Sequence, residues 1–271
     1  MVFADLGNYT YMVSEKGGKS MRTWIRLLRA ERYKMRHTIL PVMHVGIPLT
    51  GSILFWLYYS ATSLNGIEQV SGFIEIVGLG FPFLVSLICS RSMALEEGNH
   101  YQTFLGGSAG RTISLLAKCI VLQLLGLTAV ILGIGSFALG ERYLLGNIDV
   151  PVLVYPMTAM TLWLGSLIQY PIHLFLNMRF SQSVSMGIGV AQSVLAALLV
   201  TGLGEGIWQF VPCSWSIRMS IEMLKTTIIP GAVIAKREGV ICMLISVVVC
   251  VIIFVWFHYK GENVSAAGMS E

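Results

Sequence analysis

From Thr112 to Leu139 this chain carries one charged side chain, Lys118. A run that long and apolar exceeds the roughly 20 residues that cross a bilayer as a helix. Inside lipid every backbone N–H and C=O must find its partner within the protein, which favours a helix that bonds to itself. Further apolar runs of this kind predict spans at Ile39–Tyr59, Phe73–Cys89, Thr112–Leu139, Val152–Leu176, Ser183–Val200 and Val240–Phe257. The expected fold class is therefore all-α, a polytopic membrane protein with six transmembrane helices in one membrane domain. Composition agrees: the chain is 55% hydrophobic and 12% charged, with mean hydropathy +0.74, where soluble domains carry about 25% charged residues.

The second span is the weakest of the six, because Glu75, Gly78, Gly80 and Pro82 interrupt it. Pro48, Pro82, Pro156 and Pro171 fall inside expected spans, where neighbouring helices can satisfy the freed carbonyls. Gly46, Gly51, Gly133, Gly187 and Gly189 are candidates for close helix approach.

Lysine and arginine in the loops set the orientation. Eight of them, from Lys16 to Arg36, precede the first span. The segment Ser60–Gly72 has none, whereas Ser90–Arg111 carries Arg91 and Arg111, with Lys118 just beyond. Both termini and Ser90–Arg111 are expected to be cytoplasmic. The net charge of +4 resides largely in the flank of the first span, so it points to a membrane surface and not to nucleic acid.

Residues 1–20 are polar and lack the apolar core of a signal peptide. They are expected to be a disordered leader, with translation starting at Met21. Met21–Thr38 reads as an amphipathic interfacial helix, with Arg22, Arg26, Arg29 and Arg36 on one face and Trp24, Leu27, Leu28 and Met35 elsewhere. Such a helix suits the headgroup layer of an anionic bilayer. Residues 39–259 form the six-helix domain, and 260–271 a cytoplasmic tail. The loop Thr201–Gly239 is unusually apolar for an outside loop; it reads either as one or two short helices dipping into the outer leaflet or as a packed cap over the spans.

No enzyme signature is present, and no catalytic residue, bound cofactor or metal is expected in this chain. Gly18-Lys19-Ser20 imitates the end of a P-loop, but position 13 is Val where the motif needs Gly. Gly202-Leu203-Gly204-Glu205-Gly206 has the wrong spacing for a dinucleotide turn. The five cysteines stand singly and read as small core side chains. His44 and His173 have no neighbouring carboxylates and read as helix-packing hydrogen-bonders. Glu75 is the most notable intramembrane acid, although simple solvation at the outer end of its span would also account for it. No charged relay crosses the spans, so the energy for any transport is expected from outside the chain.

The polar island Ser90–Arg111 then stands out. Ser92–His100 is expected as a short helix capped at Gly98. Tyr101, Phe104 and Leu105 follow as an aromatic knob, and Gly106, Gly107 and Gly110 turn the chain into Arg111. An aromatic knob beside a charged helix suits docking into a groove on a partner, with a solvated connector as the alternative reading.

The order of a basic amphipathic helix, two spans, Glu96-Glu97-Gly98-Asn99, Phe104-Leu105, a glycine turn, and Arg111 with Lys118 resembles the membrane subunits of type-2 ABC exporters, the ABC-2 permeases with a type V exporter-like fold. Leu27–Thr38 and Pro212-Cys213-Ser214-Trp215 with Arg218 are similar to segments of the lantibiotic-immunity and bacitracin-permease-like members. Asn99 departs mildly from the pattern. The resemblance spans Met21 to about Tyr259. It implies a permease in a bacterial, Gram-positive cell membrane that works with two ABC ATPase subunits and a sister permease. ATP and Mg would be bound by the ATPase partner, and an antimicrobial peptide would be expelled for self-protection. It implies coupling residues Glu96, Glu97, Asn99, Tyr101, Phe104 and Leu105. On the substrate side the candidates are Glu75, Glu205, Trp208, Trp215 and Arg218. Export of another substrate, such as a bacitracin-like drug or a lipid, remains an alternative, as does a non-transporting sensor or scaffold.

Overall fold

A computed structural model describes residues 24–97, 111–229 and 236–267, with side chains of 111, 236 and 260–267 left aside. Helix α1 covers residues 24–36. It is followed by α2 (Ile39–Ser60), α3 (Gly66–Glu97), α4 (Arg111–Tyr143), α5 (Val154–Ser166), α6 (Gln169–Arg179) and α7 (Gln182–Val200). Three 3-10 turns, Gly202–Gly204, Trp208–Phe210 and Pro212–Ser214, lead to α8 (Trp215–Ile228) and α9 (Lys236–Ala267). No strand occurs among the described residues. Six helical segments are long and apolar enough to cross a membrane. This matches the expected number of spans.

The first span begins where local chemistry dictates. The Thr38 hydroxyl accepts from Leu40 N–H at 3.2 Å and so caps α2. The second span departs from expectation. It runs unbroken through Glu75, Gly78, Gly80 and Pro82 and extends to Glu97. Ser92–Glu97 is thus the last part of a long helix, and no separate helix begins at Ser92.

The fourth span, Val154–Arg179, is broken at Leu167–Ile168 between α5 and α6. Pro171 explains the position: it lacks an N–H and its ring excludes the carbonyl four residues earlier, that of Leu167. Gln123 Nε2 on α4 donates to that freed Leu167 oxygen at 3.1 Å. Pro156 lies in the first turn of α5, where no hydrogen bond is lost.

Register pairs fix the directions. Pro48 meets Gly133, Ser52 Oγ is 2.7 Å from Ser136 Oγ, and Trp56 Nε1 donates to Phe137 O at 3.4 Å, so α2 and α4 run the same way. Ser90 Oγ donates to Gln182 O, and Ser193 Oγ accepts from Phe83 N–H, so α3 and α7 run oppositely. The span α5–α6 is the most enclosed, with 61% of its apolar window buried, whereas α2 and α9 are each only 17% buried. The centre of the bundle is therefore α3, α4 and α5–α6, with α2, α7 and α9 outside.

The apolar segment between α7 and α9 folds inward more than a lid would. Ile217 of α8 packs on Gly78 of α3, where an added Cβ would lie 2.9 Å from the Ile217 Cα. Ser216 packs on Gly165 of α5, where an added Cβ would lie 2.7 Å from the Ser216 backbone nitrogen. At 1.5 Å per residue, Gly78 is about 18 Å from the start of α3 and Gly165 about 17 Å from the start of α5. Two separate helices thus place the first turn of α8 at the same depth, well inside the bundle. Of the five glycines expected at close contacts, Gly133 and Gly189 are so used, against Pro48 and Ser86 respectively. Gly46, Gly51 and Gly187 have nothing within 4 Å of an added Cβ.

Candidate functional site

The densest set of buried charges lies at the end of the bundle where α1, α3 and α4 meet. Along α1, Leu28, Glu31 and Met35 recur at helical spacing and face inward, while Arg29, Arg32 and Arg36 stay exposed. Glu31 is 5% exposed, Glu96 of α3 1% and Lys118 of α4 0%. Lys34 Nζ donates to Glu31 Oε1 at 2.7 Å and to Glu96 Oε1 at 2.9 Å. Lys118 Nζ donates to the same Glu96 oxygen at 2.9 Å and to Ser92 Oγ at 3.4 Å. It also lies 2.9 Å from Glu31 Oε2, an ion-pair distance without hydrogen-bond alignment. Two carboxylates and two ammonium groups close a ring, with Glu31 and Glu96 each touching both lysines.

Charge balance makes this burial tolerable, since an isolated charge in such a place would be far more costly. Burial works against the Lys34 charge, but its hydrogen bonds to Glu31 and Glu96 and their negative charges outweigh it and hold its pKa above the ordinary 10.5. The chemistry of such a ring is mechanical. It ties three helix ends together and exposes no nucleophile or open metal position. No group of His, Cys, Asp and Glu suited to a metal occurs among the described residues.

The ring lies at the base of the segment joining α3 to α4. Of the expected coupling residues, Glu96 faces inward into the ring. Glu97 is exposed and accepts from Gln182 Nε2 of α7 at 2.7 Å. Asn99, Tyr101, Phe104 and Leu105 lie outside the described residues. In the sequence Lys118 reads as part of a positive flank and of the Arg111 with Lys118 pattern, while a buried role goes unseen for Glu31 and Lys34. The i, i+3 spacing of the latter two was the available signal.

The expected substrate-side residues do not form one site. Arg218 is buried and works as a clasp: Nε donates to Leu199 O at 2.7 Å, Nη2 to Thr201 O at 2.7 Å and Nη1 to Glu205 Oε1 at 3.0 Å. It thereby satisfies the Leu199 carbonyl at the end of α7 and adds to the bond that the Thr201 carbonyl accepts from Gly204 N–H. The glycine-rich segment serves that clasp. Gly204 packs against the Leu199 carbonyl, and Gly206 takes φ +77°, which favours glycine. Trp208 and Trp215 are both buried; they pack with Ile168 and Cys242, and Trp215 Nε1 donates to Gln209 O at 3.2 Å. Glu75 is half-buried on α3 and accepts from Ser71 Oγ at 3.1 Å.

The two buried histidines differ in partners. His44 Nδ1 lies 2.7 Å from Leu40 O within its own helix. His173 bridges α6 to α7 through Ser185 Oγ and Gln192 Oε1, both at 3.0 Å. Because the Gln192 oxygen only accepts, Nε2 carries the proton and Nδ1 accepts from Ser185. A second polar network at the opposite end went unseen in the sequence. Asn147 Nδ2 donates to Gln69 Oε1 at 2.9 Å and to Glu141 Oε2 at 2.8 Å, tying the start of α3 to the end of α4. An apolar cavity of 230 Å³ lies between α2, α3 and α4, with Tyr170 the only hydroxyl among its lining residues.

No family model matches the chain, and no curated protein matches it.

Proposed function

We propose that this chain is the permease subunit of an ATP-driven, type-2 ABC exporter that expels an antimicrobial peptide from a bacterial cell membrane. What supports the reading is the ring of Glu31, Lys34, Glu96 and Lys118 at the base of the α3–α4 connection. In this proposal the basic end is cytoplasmic, and an ATPase subunit docks on Glu97 and residues 98–110. The ring makes α1, α3 and α4 move together when that segment is pushed, because separating them would strand buried charge. The first turn of α8 is wedged between α3 and α5, where α3 can displace it as the partner's ATP is bound and hydrolysed. ATP and Mg belong to the partner. The most exposed spans leave ample surface for a sister permease.

The deciding experiment is co-purification with an ABC ATPase subunit from the native host, with Phe104→Asp as the variant. The expected result is a stable complex with the wild type, loss of that complex in Phe104→Asp, and loss of peptide protection in cells. Unchanged protection and ATPase recovery in the variant would remove the proposal.

A further inference from the structure

The inward face of α1 is neutralised by the charge ring, while its outward face is not. Arg29, Arg32 and Arg36 are exposed, and none pairs with a carboxylate among the described residues. They border two adjoining grooves between α1 and α4. The first is edged by Arg29, Arg32, Arg36 and Tyr33 and floored by Leu125. The second shares Arg29, Arg32 and Leu125 and continues along α4 over Val121, Leu124 and Thr128.

The register of α2 on α4 gives the level of these grooves. Ser52 faces Ser136, and Pro48 faces Gly133. Carried back along two helices of equal rise, the start of α2 at Ile39 lies level with about position 124 of α4. The boundary at which the first span begins is therefore level with Leu124 and Leu125. The arginines sit at that boundary, and Thr128 lies one turn deeper on the apolar side. A cationic seat at the interface continues into an apolar furrow directed into the bilayer.

We propose that this groove seats one anionic phospholipid, its phosphate on Arg29, Arg32 and Arg36 and an acyl chain along Leu124, Leu125 and Thr128. Guanidinium forks match phosphate oxygens. A free phosphate gains nothing from the furrow, and a zwitterionic headgroup offers no net charge to three arginines.

The test uses the purified full chain in detergent, titrated with phosphatidylglycerol, phosphatidylcholine or inorganic phosphate. Thermal shift gives affinity and native mass spectrometry gives stoichiometry. Phosphatidylglycerol is expected to bind at one per chain and to raise the melting temperature, with phosphatidylcholine and inorganic phosphate far weaker. Arg32→Gln should weaken binding about five-fold, and the Arg29→Gln, Arg32→Gln, Arg36→Gln triple about a hundred-fold, from about 1 kcal/mol per basic residue at an anionic surface. Arg26 stands on the same helix but lines neither groove, so Arg26→Gln should leave affinity within about two-fold. Equal losses in Arg26→Gln and Arg32→Gln would show a diffuse field and overturn the seat. An equal shift with inorganic phosphate or phosphatidylcholine would overturn the lipid. If the triple variant fails to fold, the single variants decide.

Discussion

A buried ring of four charges responds unevenly to loss of its members. Lys118→Met removes the ammonium group that touches both Glu31 and Glu96. It should destabilise the protein by about 3–5 kcal/mol, whereas replacing all four members by apolar residues should cost less than that single change. Denaturation in detergent measures both, and a single loss no larger than the quadruple one would contradict the ring. Lys34 adds a pH signature. Its pKa is raised in the fold, so its contribution is fully present below the unfolded value of 10.5 and is lost as pH rises through the higher folded value. Melting temperatures taken upward from about pH 9 should therefore fall more steeply for the wild type than for Lys34→Gln. The ring was only partly legible in the sequence. Glu96 and Lys118 stood out as charges beside apolar runs, and Glu31 and Lys34 share a helical face, but nothing local reveals that positions 31, 96 and 118 converge. His173 was legible as a packing residue, because a histidine without nearby carboxylates has little else to do in an apolar span.

Helix contacts turn on which face meets which neighbour. An alanine Cβ at Gly165 would lie 2.7 Å from the Ser216 backbone, which cannot rotate aside as a side chain would. Gly165→Ala should cost about 1–3 kcal/mol as the first turn of α8 is forced outward. Gly46→Ala and Gly187→Ala meet nothing within 4 Å, so they should be neutral or gain up to about 1 kcal/mol of helix propensity. Thermal unfolding of the three variants checks the contrast, and equal effects would refute the depth assigned to α8. Composition nominated the neutral pair and passed over Gly165 and Gly78, since glycine counts carry no information about facing surfaces. The spans themselves were legible because apolar length alone decides them. The break at Leu167 was half legible: Pro171 was visible, but not that its effect would end one helix and start another.

For the whole molecule, α1 is as much a part of the bundle as the spans. A chain starting at Ile39 retains all six spans yet loses Glu31 and Lys34, so that Glu96 and Lys118 each lose an ion-pair partner. Its yield of monodisperse protein on size-exclusion chromatography should drop sharply, and the Glu96→Leu, Lys118→Leu pair added to the truncation should restore part of it. Recovery equal to the full chain would show that α1 is dispensable. The number and order of spans followed from hydropathy, and short helices in the apolar loop after α7 were expected from its tryptophans, whereas the depth of α8 was not legible, because it depends on facing glycines of α3 and α5. One consequence concerns how such a chain is made. The Leu167 carbonyl released by Pro171 is satisfied by Gln123, a side chain from the preceding span. Chains emerge from the ribosome N-terminus first, so Gln123 is already in place when Leu167 arrives. The fourth span is delivered to a bilayer in which the donor it lacks has been installed ahead of it. Reversing the order of these two segments would deliver the Leu167 carbonyl before the side chain that completes it.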